Sequence, residues 1–192
     1  MAVMPRRYRF TVDEYERLAE AGLPAHCDRV ELLDGEIVEM TPIGTRHASI
    51  VGRLTSVCSA RLGTRAIVWV QNPIALAAVR SMPQPDVVVL RPREDFYASR
   101  RPVPDDVLLL IEVMDTSGPT DRGVKLPLYA KAGIGETWLV DVNRWRIEVF
   151  RQPSTSGYSD CLVLRPGEIV TPLAFPDLHL AATELLGEPA HE

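Results

Sequence analysis

Apolar residues along the chain fall into a few clear rhythms. From Arg46 to Leu62, Ile50, Val51, Leu54, Val57, Cys58 and Leu62 recur at three- and four-residue steps. That spacing predicts an amphipathic helix, which Gly63 closes. An earlier helix is expected from Thr11 to about Ala21, because T-V-D-E matches a capping box with Glu14 at its third helical position. Between them, RVELLDGEIVEM divides at Asp34-Gly35, a dipeptide that suits a two-residue type I′ turn, so a β-hairpin is predicted. Three strands should follow, AIVWVQ from Ala66, DVVVL from Asp86 and VLLLIEV from Val107. The last two are almost uninterrupted apolar runs, as expected of strands covered on both faces. A helix from about Thr120 to Ala132 should end at Gly133, with ETWLVDV a further central strand and RIEVFR its antiparallel neighbour. A short helix near Ala181–Leu186 completes the order. The fold class is α/β, a mixed sheet flanked by helices and preceded by a helix and hairpin. Residues 1–186 are expected to form one domain, with 187–192 as a frayed tail.

Composition narrows the picture. At 192 residues and 46% hydrophobic, the chain can build a substantial core. The formal charge of -5 argues against binding nucleic acid by bulk electrostatics. It leaves room for a local basic groove, since Arg91, Arg93, Arg100 and Arg101 flank one segment and Arg6, Arg7 and Arg9 cluster near the start. The alternative is that these arginines are solvated loop charges. Cys27, Cys58 and Cys161 are widely spaced and make no CxxC pair, so neither a disulfide framework nor a zinc ribbon is indicated. MAVMPRRYRF has charges without an apolar run behind them, unlike a signal peptide. No apolar stretch approaches the roughly 20 residues of a membrane helix. A reducing cytoplasm is the expected location.

Two carboxylates stand out by position. Asp86 follows Pro85 at the start of one apolar strand, and Glu112 ends the run VLLLI in another. A carboxylate there is costly unless it is paired, hydrogen-bonded or bound to a cation. Separately, Asp86 could cap a turn and Glu112 could answer a neighbouring charge. On adjacent strands the two could share one Mg²⁺, which takes oxygen ligands and few of them from protein. Lys125 lies on the helix that follows the Glu112 strand. Folded back over the sheet, it could hold a water or balance negative charge on a phosphate. Its spacing fits equally well a surface pair with Asp121, four residues earlier.

Pro85-Asp86 followed by Glu112-Val113-Met114 resembles the PD-(D/E)XK restriction-endonuclease-like superfamily. More closely, the chain resembles the bacterial Uma-two family of endonuclease type. The resemblance runs roughly from Tyr8 to Tyr158 and rests on VELLDGEIVEM, RHASIVGRL, PDVVVL, LLLIEVMDTSGPTDRGVKLPLYAKAGIGETWLVDV and RIEVFR. The short PD…ExK motif is weakly specific; the long block from Leu108 to Val142, in the right order after PDVVVL, carries more weight. The resemblance implies a restriction-endonuclease-like fold, with Asp86, Glu112 and the backbone carbonyl of Val113 as metal ligands. Met114 stands where the motif has its lysine, and the family pattern moves that lysine to the helix, onto Lys125. A second departure is Met114-Asp115-Thr116-Ser117, where the family shows serine and proline, so Asp115 adds a carboxylate. Glu31 matches an acidic position of the family and could support the metal, or be an ordinary hairpin charge. His47 could contact phosphate or a water, or simply be structural at its helix start.

The implied activity is Mg²⁺-dependent hydrolysis of phosphodiesters in nucleic acid, most naturally DNA, with Mn²⁺ as a substitute and catalysis by Asp86, Glu112 and Lys125. The resemblance also implies a homodimer. Two rivals keep the fold: an inactive nucleic-acid-binding or oligomerisation module, and a small-molecule metallohydrolase. No GxSxG elbow, GxxxxGK[ST] loop or HExxH motif occurs, and Gly133-Ile134-Gly135 lacks a third glycine and ends a helix.

Overall fold

A computed structural model of the chain describes residues 7–22 and 29–188. Arg6, Cys27 and residues 189–192 lie outside the described residues. The helices are α1 (Val12–Glu20), α2 (Thr45–Leu62), α3 (Gly118–Thr120), α4 (Leu126–Lys131) and α5 (Ala182–Leu186). The strands are β1 (Val30–Leu33), β2 (Glu36–Glu39), β3 (Ile67–Val70), β4 (Val87–Leu90), β5 (Val107–Met114), β6 (Glu136–Asp141), β7 (Arg146–Ser154), β8 (Gly157–Leu164), β9 (Ile169–Val170) and β10 (Leu180–Ala181). Strands β3-β4-β5-β6-β7-β8 form one six-stranded sheet. Every pairing in it is antiparallel except β5 with β6. A parallel pair needs a crossover, and the helical segment from Gly118 to Lys131 provides it.

The apolar runs of β4 and β5 are explained by burial on both faces. Val87, Val89, Leu109, Ile111 and Val113 pack with Ile50, Leu54 and Leu185 under α2 and α5. Val88, Leu90 and Leu110 face the opposite side and pack with Tyr129 and Ile134 around α4. One position follows from this alternation. Glu112 continues the series of Leu110 and leaves the sheet towards α4, while Asp86 sits just before β4 and turns its carboxylate to the Val113 N–H and to His47 of α2.

The crossover helix is not regular. Expected from Thr120 to Ala132, it starts at Gly118, and Asp121–Lys125 form a π turn between α3 and α4. Pro127 gives a physical reason. It has no N–H to donate, and its ring crowds the carbonyl four residues back. A widened turn, with the Leu126 N–H bonded to the Asp121 carbonyl, relieves that crowding. The same turn directs both Asp121 and Lys125 inward, where they are buried.

The hairpin forms as its Asp-Gly turn predicts, with φ of 47° at Asp34 and 78° at Gly35. Leu32 and Met82 exchange backbone hydrogen bonds, which ties the hairpin to the chain entering β4. Gly35 also permits close packing, since a Cβ there would lie 2.6 Å from the Arg9 Cβ. Gly35→Ala is expected to cost roughly 1–3 kcal/mol, read as a lower urea midpoint at unchanged m-value. An unchanged midpoint would mean that the hairpin and the Arg9 segment are not rigidly joined.

Three strands were not foreseen. In β8, residues 159–163 are all exposed, so no buried face imposed an alternation on its sequence. Strands β9 and β10 have two residues each, too few for any pattern. Among the described residues of the arginine clusters, all but Arg91 are paired with carboxylates, and Arg91 donates to the Asp105 carbonyl. Arg93 pairs with Asp95, Arg100 with Asp106, Arg101 with Glu16, Arg9 with Asp34 and Arg7 with Glu36. Among the described residues, no helix is long and apolar enough to cross a membrane.

Candidate functional site

The ends of β4 and β5, the hairpin, the first turn of α2 and the π turn meet at one cavity of about 200 Å³. Asp86, Glu112, Lys125, Glu31 and His47 all line it, joined by Asp115 and Asp121. Residues from five separate stretches of sequence therefore come together at one place.

Lys125 sits at the centre and is 5% exposed. Its Nζ lies 3.1 Å from Glu31 Oε2, 3.3 Å from Glu112 Oε1 and 3.7 Å from Asp121 Oδ1. The i,i+4 pair with Asp121 exists, but inside the protein, so the surface-pair alternative falls. Burial alone would depress the Lys125 ammonium; Glu112, Glu31 and Asp121 outweigh it and hold the group well above the ordinary lysine range. Glu31 is no surface charge. It is 4% exposed, and its Oε2 also accepts from the Gln84 N–H at 3.1 Å.

Glu112 is 1% exposed. Its Oε1 accepts from the Tyr129 hydroxyl at 2.5 Å and its Oε2 from the Asp86 N–H at 3.3 Å. Burial pushes its carboxyl well up, and Asp121 and Asp86 push the same way, while Lys125 and the Tyr129 hydrogen bond oppose them. Burial likewise raises Asp121 to about 6 against the pull of Lys125. The cluster thus holds more negative charge than its own cation neutralises.

Asp86 is held on three sides. Its Oδ2 accepts from the Val113 N–H at 2.8 Å and lies 3.0 Å from His47 Nε2. Its Oδ1 accepts from Gln71 Nε2 at 3.2 Å. The hydrogen bond to Asp86 raises His47, burial opposing, so the ring is biased towards its charged form. Because the N–H and C=O of a β residue point to the same edge, the Val113 carbonyl also faces the Asp86 side.

Among the described residues, four buried side-chain polar atoms have no hydrogen-bond partner, and two of them belong here: Asp121 Oδ2 and His47 Nδ1. Buried polar groups rarely go unsatisfied, and both residues line this cavity. Surplus negative charge, hard oxygen donors and an orphaned carboxylate oxygen fit a divalent cation with oxygen ligands. Among the described residues, no three His, Cys, Asp or Glu side chains already form a complete cage. Mg²⁺ does not require one, since it usually keeps several waters and takes one or two carboxylates.

Tyr129 and Gln71 were missed by sequence reasoning. For Tyr129 a signal existed, because Asp121, Lys125 and Tyr129 are spaced by four and share one helix face. For Gln71 none did. It reaches Asp86 only because β3 pairs with β4 and its N–H bonds to the Asp86 carbonyl.

Fold and site together describe a mixed α/β sheet with a buried acidic cluster at the ends of its central strands, the architecture of a nuclease. The Uma2 family, described as "Putative restriction endonuclease", matches residues 12–183, and the chain belongs to that family. A crystal structure described as "a putative nuclease belonging to DUF820", from Anabaena variabilis ATCC 29413, superposes with a TM-score of 0.73 at 20% identity. The match covers 92% of this chain and 97% of that one, and it shows that the two share a fold. No curated protein matches the chain.

Proposed function

We propose that the protein is a divalent-metal-dependent endonuclease that hydrolyses phosphodiester bonds in DNA. The observation that carries this reading is the buried junction of Glu31, Glu112 and Asp121 around Lys125, with Asp86 hydrogen-bonded alongside. In the proposal, Asp86, Glu112 and the Val113 carbonyl hold Mg²⁺, and Mn²⁺ can replace it. Bound there, the ion supplies Lewis-acid stabilisation of a phosphoryl oxygen and lowers the pKa of water. The chain's own groups do the rest. Glu31 and Asp121 keep Lys125 charged, so its ammonium stands ready beside a phosphate that gains negative charge. Tyr129 fixes the Glu112 carboxylate through its hydroxyl. His47 and Gln71 fix Asp86. Two copies of the chain, one per strand, belong to the same proposal.

The test is cleavage of supercoiled plasmid and single-stranded DNA with Mg²⁺ or Mn²⁺, wild type against Asp86→Ala. Cleavage is expected from the wild type and lost with chelator or in the variant. If wild type binds DNA in a salt-dependent way but never cuts it, an inactive binding module is the better reading. If it neither binds nor cuts, a small-molecule metallohydrolase becomes the better one.

A further inference from the structure

Most arginines of this chain are already neutralised by carboxylates. Among the described residues, Arg17, Arg29, Arg46, Arg53, Arg80, Arg91 and Arg165 make no ion pair, and of these Arg46 and Arg53 stand together on α2. They are exposed, about two turns apart on the same face of α2, and both line a second cavity of about 540 Å³ together with Asn143 and Trp145. This cavity abuts the acidic one. Gly44 lines the first and Thr45 the second; Asp115 lines the first, and its carbonyl accepts from Asn143 Nδ2 at 3.4 Å.

The groove is built. Arg46 Nη2 donates to the Val142 carbonyl at 2.7 Å, which fixes the guanidinium while its other N–H groups stay available. Arg53 lies directly on Gly187, where a Cβ would sit 2.9 Å from its Cζ. Trp145 has a left-handed φ of 51°, and its Nε1 donates to the Gly187 carbonyl at 3.2 Å. Gly187 thus contacts both the arginine and the tryptophan. Holding Trp145 at positive φ costs conformational energy, which the surrounding contacts must offset.

The acidic site needs such a surface. Glu31, Asp86, Glu112, Asp115 and Asp121 all face the first cavity, and they repel a polyanion at short range. Arg29 lines that cavity without an ion pair, and unpaired cations beside the cavity would extend the grip on a strand leaving it. Guanidinium groups bind phosphates through forked hydrogen bonds, and an aromatic ring accepts an unstacked base.

We propose that the groove between α2 and the β6–β7 turn binds a single-stranded segment of the substrate beside the scissile bond. Arg46 and Arg53 hold successive phosphates, and Trp145 takes a base. The inference rests on the nuclease reading and names the strand subsite that it lacks. Glu188, the carboxylate among the lining residues, limits affinity.

The experiment is fluorescence anisotropy of labelled single-stranded and duplex oligonucleotides with Asp86→Ala protein, with and without Arg46→Ala and Arg53→Ala. Each arginine substitution is expected to weaken single-strand binding roughly tenfold. Each should also flatten the dependence of log K on log salt by about 0.7. Binding should quench tryptophan fluorescence, and Trp145→Phe, which retains an aromatic ring, should remove most of that quenching. Glu188→Gln should tighten binding. If the double arginine variant binds single strands with unchanged affinity and salt slope while wild type still cleaves, the subsite is wrong and the nuclease reading stands. If the losses appear with duplex alone, the single-strand assignment is overturned. If wild type neither binds nor cleaves any nucleic acid, the nuclease reading fails and the subsite falls with it.

Discussion

Replacing Lys125 by methionine is expected to destabilise the metal-free protein by about 3–5 kcal/mol, the scale for breaking a buried ion pair from one side. The substitution keeps most of the side-chain volume, so packing contributes little. What changes is charge. Glu31, Glu112 and Asp121 would remain 4%, 1% and 2% exposed with their shared ammonium gone. In a chain of this length the loss corresponds to a melting temperature lower by about 10 °C. The deficit should also depend on pH. Lys125 pulls down both Glu112 and Asp121, so without it these groups hold protons to still higher pH in the folded state than in the unfolded chain. A carboxyl raised on folding contributes least penalty below its unfolded pKa, and the penalty grows as pH climbs towards the folded value. The variant should therefore approach wild type near pH 4–5 and fall furthest behind at pH 7–8. A divalent cation offers replacement charge, so Mg²⁺ or Mn²⁺ should raise the melting temperature of the variant more than that of wild type. Thermal melts at both pH values, with cation and with chelator, read all of this. Equal melting temperatures throughout would mean that the carboxylates are not held together by Lys125.

Much of this site was legible because a charged residue in an apolar strand is an anomaly that single-sequence reading detects. Asp86 and Glu112 were conspicuous inside PDVVVL and VLLLIEV, and the strands they start and finish do pair. Lys125 was visible as a position but not as an environment. Spacing alone fits both a surface pair with Asp121 and an inward lysine, and the choice depends on a π turn that helical periodicity does not describe. Glu31 was ambiguous for a related reason. The hairpin strand β1 is buried on both faces, Glu31 towards the site and Leu32 away from it, and the Leu32–Met82 tether that brings this about joins distant parts of the chain. The arginines misled in the opposite sense. Arg93, Arg100 and Arg101 look like a basic patch in sequence, yet their partners Asp95, Asp106 and Glu16 cancel them. Two of those partners lie within a few residues, but the third is across the fold.

Glu112→Gln should abolish metal-dependent cleavage and still leave the metal-free protein at least as stable as wild type. The two halves have separate causes. An amide keeps the size of Glu112, and its carbonyl oxygen can still accept the Tyr129 hydroxyl at the position held by Oε1; the one hydrogen bond lost is the long 3.3 Å one from the Asp86 N–H, since the amide NH2 cannot accept it. It cannot match a carboxylate as a ligand for Mg²⁺, and losing several kcal/mol of transition-state stabilisation means a rate loss of roughly a thousandfold or more. Stability runs the other way because burial and the neighbouring Asp121 and Asp86 all oppose charge on Glu112 in the apo site. Removing that charge removes the repulsion, while Lys125 keeps Glu31 and Asp121 as partners. Asp86→Ala lacks this symmetry. It leaves His47 without its partner and the Val113 N–H without an acceptor, so some loss of stability should accompany its loss of activity. The contrast is measurable in melts run with chelator and again with Mg²⁺. Cation should raise the wild-type melting temperature and do so far less for Glu112→Gln. A Glu112→Gln protein that melts several degrees below wild type in chelator would show that the carboxylate serves the fold. One that still gains full stabilisation from Mg²⁺ would remove Glu112 from the metal site, whatever its effect on cleavage.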